Sequence, residues 1–165
     1  MSTQYYLTDN IRQSVVAVLA AGQNYVTSAN IMFNRSNVSS DIPRIEVDVT
    51  NVSRASLQMG SNATYGWFYN HFAADVGIKV VTDRAGTTGA SHEDVVESVR
   101  YLMSREAQKL VSPVVTWYNV LDVTEQGEAH EIMAEVREDH STINFRLEVM
   151  IIASSYAVPS SGSPL

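Results

Sequence analysis

The chain contains no cysteine, and that absence alone excludes a disulfide framework, thiol catalysis and cysteine-ligated zinc. It fits folding in a reducing cytoplasm. Long apolar runs are also missing. The longest, near Val15 to Ala21 and Val149 to Ala153, fall well short of the roughly 20 residues that cross a bilayer, so a soluble protein with no membrane partner is expected. Met1 to Asn10 is polar and aromatic, with no basic region leading into an apolar run, and no signal peptide is expected. Basic residues are scarce: 11 Lys and Arg face 18 Asp and Glu, for a formal charge of −7, and nothing gathers the basic ones into a run. Affinity for a polyanion comes chiefly from neutralising phosphates, so sequence-specific nucleic-acid binding is disfavoured. An acidic surface does suit a conduit through which DNA passes without sticking.

Motifs for catalysis are missing as well. The Gly86-Thr87-Thr88-Gly89 stretch lacks the Lys of a P-loop and the three spaced glycines of a dinucleotide fingerprint, and no G-x-S-x-G elbow occurs. His71, His92, His130 and His140 are scattered. His92-Glu93 and His130-Glu131 begin like a zincin motif, but Val96 and Ala134 stand where the second histidine belongs, so solvated or capping histidines are the better reading. Glu46 and Asp48 share one strand face and suit a charge-defended strand edge better than an acid and base pair. A non-enzymatic chain with no cofactor and no metal is expected.

What is present is a pattern of helices and strands. A length of 165 residues with 45% hydrophobic content bounds a single core, and the expected division is one α+β domain over residues 1–155 with a flexible tail over 156–165. Ile11, Val15, Val18 and Leu19 predict a helix from Thr8 or Asp9 to Ala21, capped by one of those two residues and stopped by Gly22. Ile31 to Phe33 predicts a short strand in an Asn- and Ser-rich stretch. Arg44 to Thr50 alternates cleanly, with Ile45, Val47 and Val49 inward and Arg44, Glu46 and Asp48 on a wet face. After a polar segment, Asn51 to Thr64, the aromatics Tyr65, Trp67, Phe68, Tyr69 and Phe72 crowd around Gly66; packing in the core or on a sheet face is favoured over a contact surface. Val76 to Thr82 reads as a strand running to a polar loop, Ala85 to Ala90.

Ser91 to Leu110 is the strongest helix, with Ser91 and Asp94 spaced as a capping box, acidic residues in its first turns, and a buried stripe of Val95, Val99, Leu102 and Met103. Thr116 to Thr124 reads as a strand, Glu125 to Gly127 as a turn, and Glu128 to Glu138 as a further strand. Asp139 to Thr142 then leads into the clearest strand of all, Ile143 to Ile152, where Ile143, Phe145, Leu147, Val149 and Ile151 share a face. The expected fold is a mostly antiparallel or mixed sheet with two principal helices packed on it. Arg84, Arg100 and Arg105 suit ion pairs with a neighbouring subunit, or else face water.

This series resembles the tail terminator, or tail-completion, proteins of tailed bacteriophages: an N-terminal helix, the IPRIEVDV strand, the ADVGIKVVTDRAG strand and loop, the ASHEDVVESVRYLMSR helix, WYNVLDV, and the closing INFRLEVMII strand. The likeness covers most of residues 5–155 and is one of layout rather than of a diagnostic motif. The most telling part is the strand ending in Thr82-Asp83-Arg84, followed by a polar loop and helix. The resemblance implies a virion protein of the tail or neck, assembled in the host cytoplasm. It would form a homo-hexameric ring on the last layer of the tail tube, end tube growth and join the tail to the head connector. Its partners would be further copies of itself, tail tube protein, head connector or neck proteins and the tail sheath, with DNA only as passing cargo. A neck or head-tail adaptor protein is the alternative, and a small ligand-binding domain a more distant one. The expected contact residues are Arg84, Thr87, Thr88 and Gly89 on the polar loop, Trp67 and Tyr69 in the aromatic cluster, and Tyr156 in the tail. Deleting Thr87 to Gly89 is expected to spare the fold and impair assembly.

Overall fold

The computed structural model describes residues 7–33, 42–54, 71–84, 91–105 and 118–151. Five strands form one mixed sheet in the order β1-β2-β3-β5-β4. Strand β1 (Ile31–Phe33) runs parallel to β2 (Arg44–Arg54), and β3 (His71–Asp83), β5 (Glu138–Ile151) and β4 (Tyr118–Met133) follow antiparallel. Helices α1 (Leu7–Gly22) and α2 (His92–Arg105) pack on the same face. The α+β class, the mixed sheet and the two helices agree with the sequence reading.

The core follows from alternation. Ile45, Val47 and Val49 of β2 sit opposite Val80, Ile78 and Val76 of β3, and Ile78, Val76 and Ala74 sit opposite Ile143, Phe145 and Leu147 of β5. All are buried, and they form one cluster with Ile11, Val15, Val18 and Leu19 of α1 and Val95, Val99, Leu102 and Met103 of α2. Each helix thus buries the stripe that its spacing picks out. The two helices meet closely at the end of α1, where a Cβ on Gly22 would collide with Leu102 Cδ2. The capping box forms reciprocally: the Asp94 N–H donates to Ser91 Oγ at 3.1 Å, and the Ser91 N–H to Asp94 Oδ2 at 3.3 Å.

Several boundaries differ from expectation, each for a physical reason. Helix α1 begins at Leu7, so Thr8 and Asp9 lie inside its first turn and do not cap it; the Asp9 carboxylate accepts from Arg12 at 2.8 Å. Strand β3 starts at His71 and takes in Phe72, which packs against the core. Strand β2 continues to Arg54, because the extra length of β3 offers partners down to Phe72. At the other end of β3, Lys79 to Asp83 pairs with Thr142 to Glu138, which makes strand of the connection expected at Asp139 to Thr142. The turn expected at Glu125 to Gly127 is instead a bulge inside β4. There Gln126 is the extra residue and Gly127 has φ 154°, a conformation costly for any side chain. The chain reverses later, at Ala134 to Arg137, where Arg137 is left-handed with φ 55°. Glu128 to Met133 is strand as expected, Ala134 to Arg137 is turn, and Glu138 begins β5.

The wet face assigned to β2 holds at Asp48, whose side chain is 42% exposed, and at Thr50, but is corrected nearer the start of the strand. Strand β2 lies second in the sheet rather than at an edge, and Arg44 and Glu46 are 8% and 4% exposed, with Arg44 Nε 3.7 Å from Glu46 Oε1. Alternation marks which residues share a face but is silent on whether that face is covered. The end of the Ser91 to Leu110 helix beyond Arg105, the strand start at Thr116 and Trp117, and the tail at 156–165 lie outside the described residues.

Candidate interaction surface

Strands β4 and β5 form a long hairpin at one side of the sheet, and its sequence is where the chain keeps its charge. Residues 118–151 hold eight of the 18 acidic residues and only two basic ones, Arg137 and Arg146, so the hairpin carries −6 and the rest of the chain −1. Strand β4 is the terminal strand. Two bulges, at Leu121 and Gln126, break its alternation. The first lets both Val120 and Val123 face the core, opposite Val149 and Leu147, and leaves Leu121 51% exposed. From Thr124 to Arg137 every residue is exposed, including Ile132, Met133 and Val136.

Beyond Val123 the hairpin is fastened to α2 by polar contacts. Glu125 and Glu128 lie opposite Phe145 and Ile143, on the side that faces the helices. Arg100 of α2 reaches them from above: its Nε donates to Glu125 at 2.9 Å, one terminal nitrogen bonds Glu128, and the other bonds Glu97 at 2.5 Å. Hydrogen bonds to Glu125 and Glu97 hold the guanidinium pKa above its ordinary value. Arg100 therefore pairs within its own chain. Arg105 stacks over the Tyr101 ring at 5.4 Å.

About two turns nearer the start of α2, His92 is held between Thr82 Oγ1 at 2.8 Å from its Nδ1 and Ser141 Oγ at 2.7 Å from its Nε2. The His130 ring of β4 stacks on it, with centroids 5.2 Å apart and planes 28° apart. Burial lowers the His92 pKa and the positive forms of His130 and His140 add to this, while Asp139 and Glu128 oppose it. The neutral ring matches its surroundings, since it can donate at one nitrogen and accept at the other. His92 is thus a pin between α2, β3 and β5, not a solvated side chain. His130 is exposed, 4.0 Å from Asp139, and His140 bonds Glu138 at 2.7 Å. Only the fold brings His92 and His130 together, because they lie on separate elements.

These residues border a groove of about 400 Å³ that runs from His92 and Ser141 to Arg100 and Glu128. Both nitrogens of His92 and all three guanidinium nitrogens of Arg100 are engaged in holding the fold. Among the described residues, no group of three or more His, Cys, Asp or Glu is arranged to hold a metal ion. No described helix is long and apolar enough to cross a membrane.

Of the contact residues named from sequence, Arg84 is exposed in the turn after β3, and its N–H donates to Arg137 O at 2.9 Å, which places it beside the hairpin turn. Trp67, Tyr69, Thr87, Thr88, Gly89 and Tyr156 lie outside the described residues. Sequence reasoning missed the hairpin surface itself. The available signal was the run of carboxylates at Asp122, Glu125, Glu128 and Glu131 with no Lys or Arg between them.

No protein-family model matches the chain, and a search of curated proteins finds no match. Among solved structures, the chain is similar to a chain of the "Virion of native gene transfer agent (GTA) particle", at 13% identity over 87% of this chain and 94% of that one, with a TM-score of 0.48. Likeness at that depth identifies neither family nor function.

Proposed function

We propose that this chain is a structural protein of a phage-like virion, and within the virion a tail terminator: a subunit of a ring that caps the tail tube and meets the head connector. The observation that carries the reading is the order of elements. Apart from the short β1, the order helix, strand, strand, helix, strand and strand is the layout on which the sequence resembles the tail terminator family, and both helices lie on one face of the sheet. The side chains bordering the α2 groove support a non-enzymatic role, because His92 and Arg100 are spent on fastening elements together. An acidic ring would also let DNA pass without adhering, since six copies would each bring −7.

The test is the mass of the purified protein in solution, alone and mixed with tail tube protein from the same source, with tube lengths measured by electron microscopy. The expected result is a ring, alone or on tube ends, and tubes that stop growing where it binds. Capture by portal or adaptor protein in place of the tube would assign it to the neighbouring neck. A monomer indifferent to all of them would overturn the reading.

A further inference from the structure

Strand β4 contains a regular, solvent-facing stretch at one edge of the sheet, with no described strand paired to its outer side. Between the bulge at Gln126 and the turn at Ala134, Gly127 to Met133 pairs without interruption with Asn144 to Glu138 of β5. Those seven residues are all exposed. Seven residues is about the length of an ordinary strand, and a terminal strand presents a row of backbone donors and acceptors on its outer side. Sheet edges in soluble proteins are commonly defended by lysine, proline, bulges or shortness. Both bulges of β4 precede Gly127, and Gly127 to Met133 has no bulge, no lysine and no proline. Ile132 at 50% exposure and Val136 at 59% flank this edge at the hairpin turn. Glu131 and Glu135 have no ion-pair partner among the described residues, whereas Glu125 and Glu128 are already matched by Arg100.

We propose that the outer edge of Gly127 to Met133 is a docking site for an extended segment of a different protein that alternates lysine or arginine with apolar residues, added to the sheet as a sixth strand. Backbone hydrogen bonds would supply the pairing and the carboxylates the choice of partner. Charge decides against a second copy as the occupant. The hairpin carries −6 and the rest of the chain −1, so another copy brings no net positive charge to match, and two hairpins brought edge to edge repel. The inference does not rest on the virion reading: it concerns this edge and holds whatever larger assembly the chain joins.

The test uses the full chain, labelled with nitrogen-15, titrated with an eight-residue peptide alternating lysine and valine and with its glutamate-for-lysine twin. The lysine peptide is expected to shift the amides of Gly127 to Met133, protect them from exchange, and bind more weakly as ionic strength rises. Glu131→Lys, a change at an exposed position, is expected to weaken binding by about three- to tenfold while leaving the β3 and β5 amides unmoved. Equal binding of the glutamate twin, or shifts confined to other strands, would overturn the proposal. So would concentration-dependent protection of the β4 amides in the protein alone, which would make a second copy the occupant.

Discussion

Strands β4 and β5 are bonded to each other along their whole length, yet they differ in almost every other respect. In β5, Ser141, Ile143, Leu147 and Val149 are no more than 1% exposed and Phe145 only 3%. In β4, Val120 and Val123 are partly buried against the core, and from Thr124 onward every residue is exposed. One strand lies between neighbours and beneath helices, while the other has a neighbour on one side only among the described strands. The pairing of backbone groups thus sets where a strand runs, and side-chain burial sets how much it contributes to stability. Beyond Val123, strand β4 is ordered by β5 and by the polar clamp of Arg100, not by a hydrophobic face of its own.

The contrast can be broken most directly at Ile143, which is fully buried. Ile143→Ala is expected to cost about 2–5 kcal/mol in a denaturant titration, because it removes transfer energy and leaves a cavity. Gly127→Ala, in the β4 bulge at φ 154°, is expected to cost about 1–3 kcal/mol from backbone strain alone, since a Cβ there meets nothing within 4 Å. A smaller loss would show that β4 can drop its bulge without harm. Arg100→Met is expected to cost on the order of 1 kcal/mol, a modest figure because the guanidinium is solvent-screened, and the loss should shrink in high salt. A loss unaffected by salt would mean that Arg100 acts through packing of its stem.

The pH dependence probes the joint between the two strands and α2. The folded-state pKa of His92 is lowered from 6.5, so below that value the unfolded chain binds more protons there than the folded one. Its contribution is therefore full above the unfolded pKa and is lost as pH falls through the folded one. His92→Gln is expected to flatten the decline in melting temperature on acidification from about pH 7 to about pH 5. An unchanged slope would place that titration elsewhere. The smallest effect is expected at Ile132, 50% exposed on β4, where substitution by Ala should stay within about 0.5 kcal/mol. A cost like that of Ile143→Ala would erase the distinction between the strands.

Legibility in the sequence follows the same division. The core stripes of α1, α2, β2, β3 and β5 were readable because each buried residue sits at the period of its own element, from Ile11 and Val15 to Ile143 and Phe145. Strand β4 was readable only as two separate strands, because its bulges at Leu121 and Gln126 shift the alternation twice and Gly127 looks like a turn. The covered face of β2 escaped for another reason: burial of Arg44 and Glu46 depends on what lies over them, which no local pattern encodes. His92 and His130 looked scattered because their meeting depends on a helix and a hairpin that are far apart in the chain.

The pairing of β3 with β5 has a consequence for how the molecule assembles in time. The sheet consists of two parts, β1-β2-β3 and β5-β4, joined along the register from His71 opposite Met150 to Asp83 opposite Glu138. Strands β4 and β5 are separated by a short turn and can zip early, whereas residues 84–137 lie between the joined ends of β3 and β5. Closing a long loop precedes the contacts that reward it, so this seam is expected to limit the folding rate. Helix α2 lies within the intervening chain, and His92 bonds Thr82 on one side of the seam and Ser141 on the other. Its docking therefore reports the moment at which two half-sheets become one.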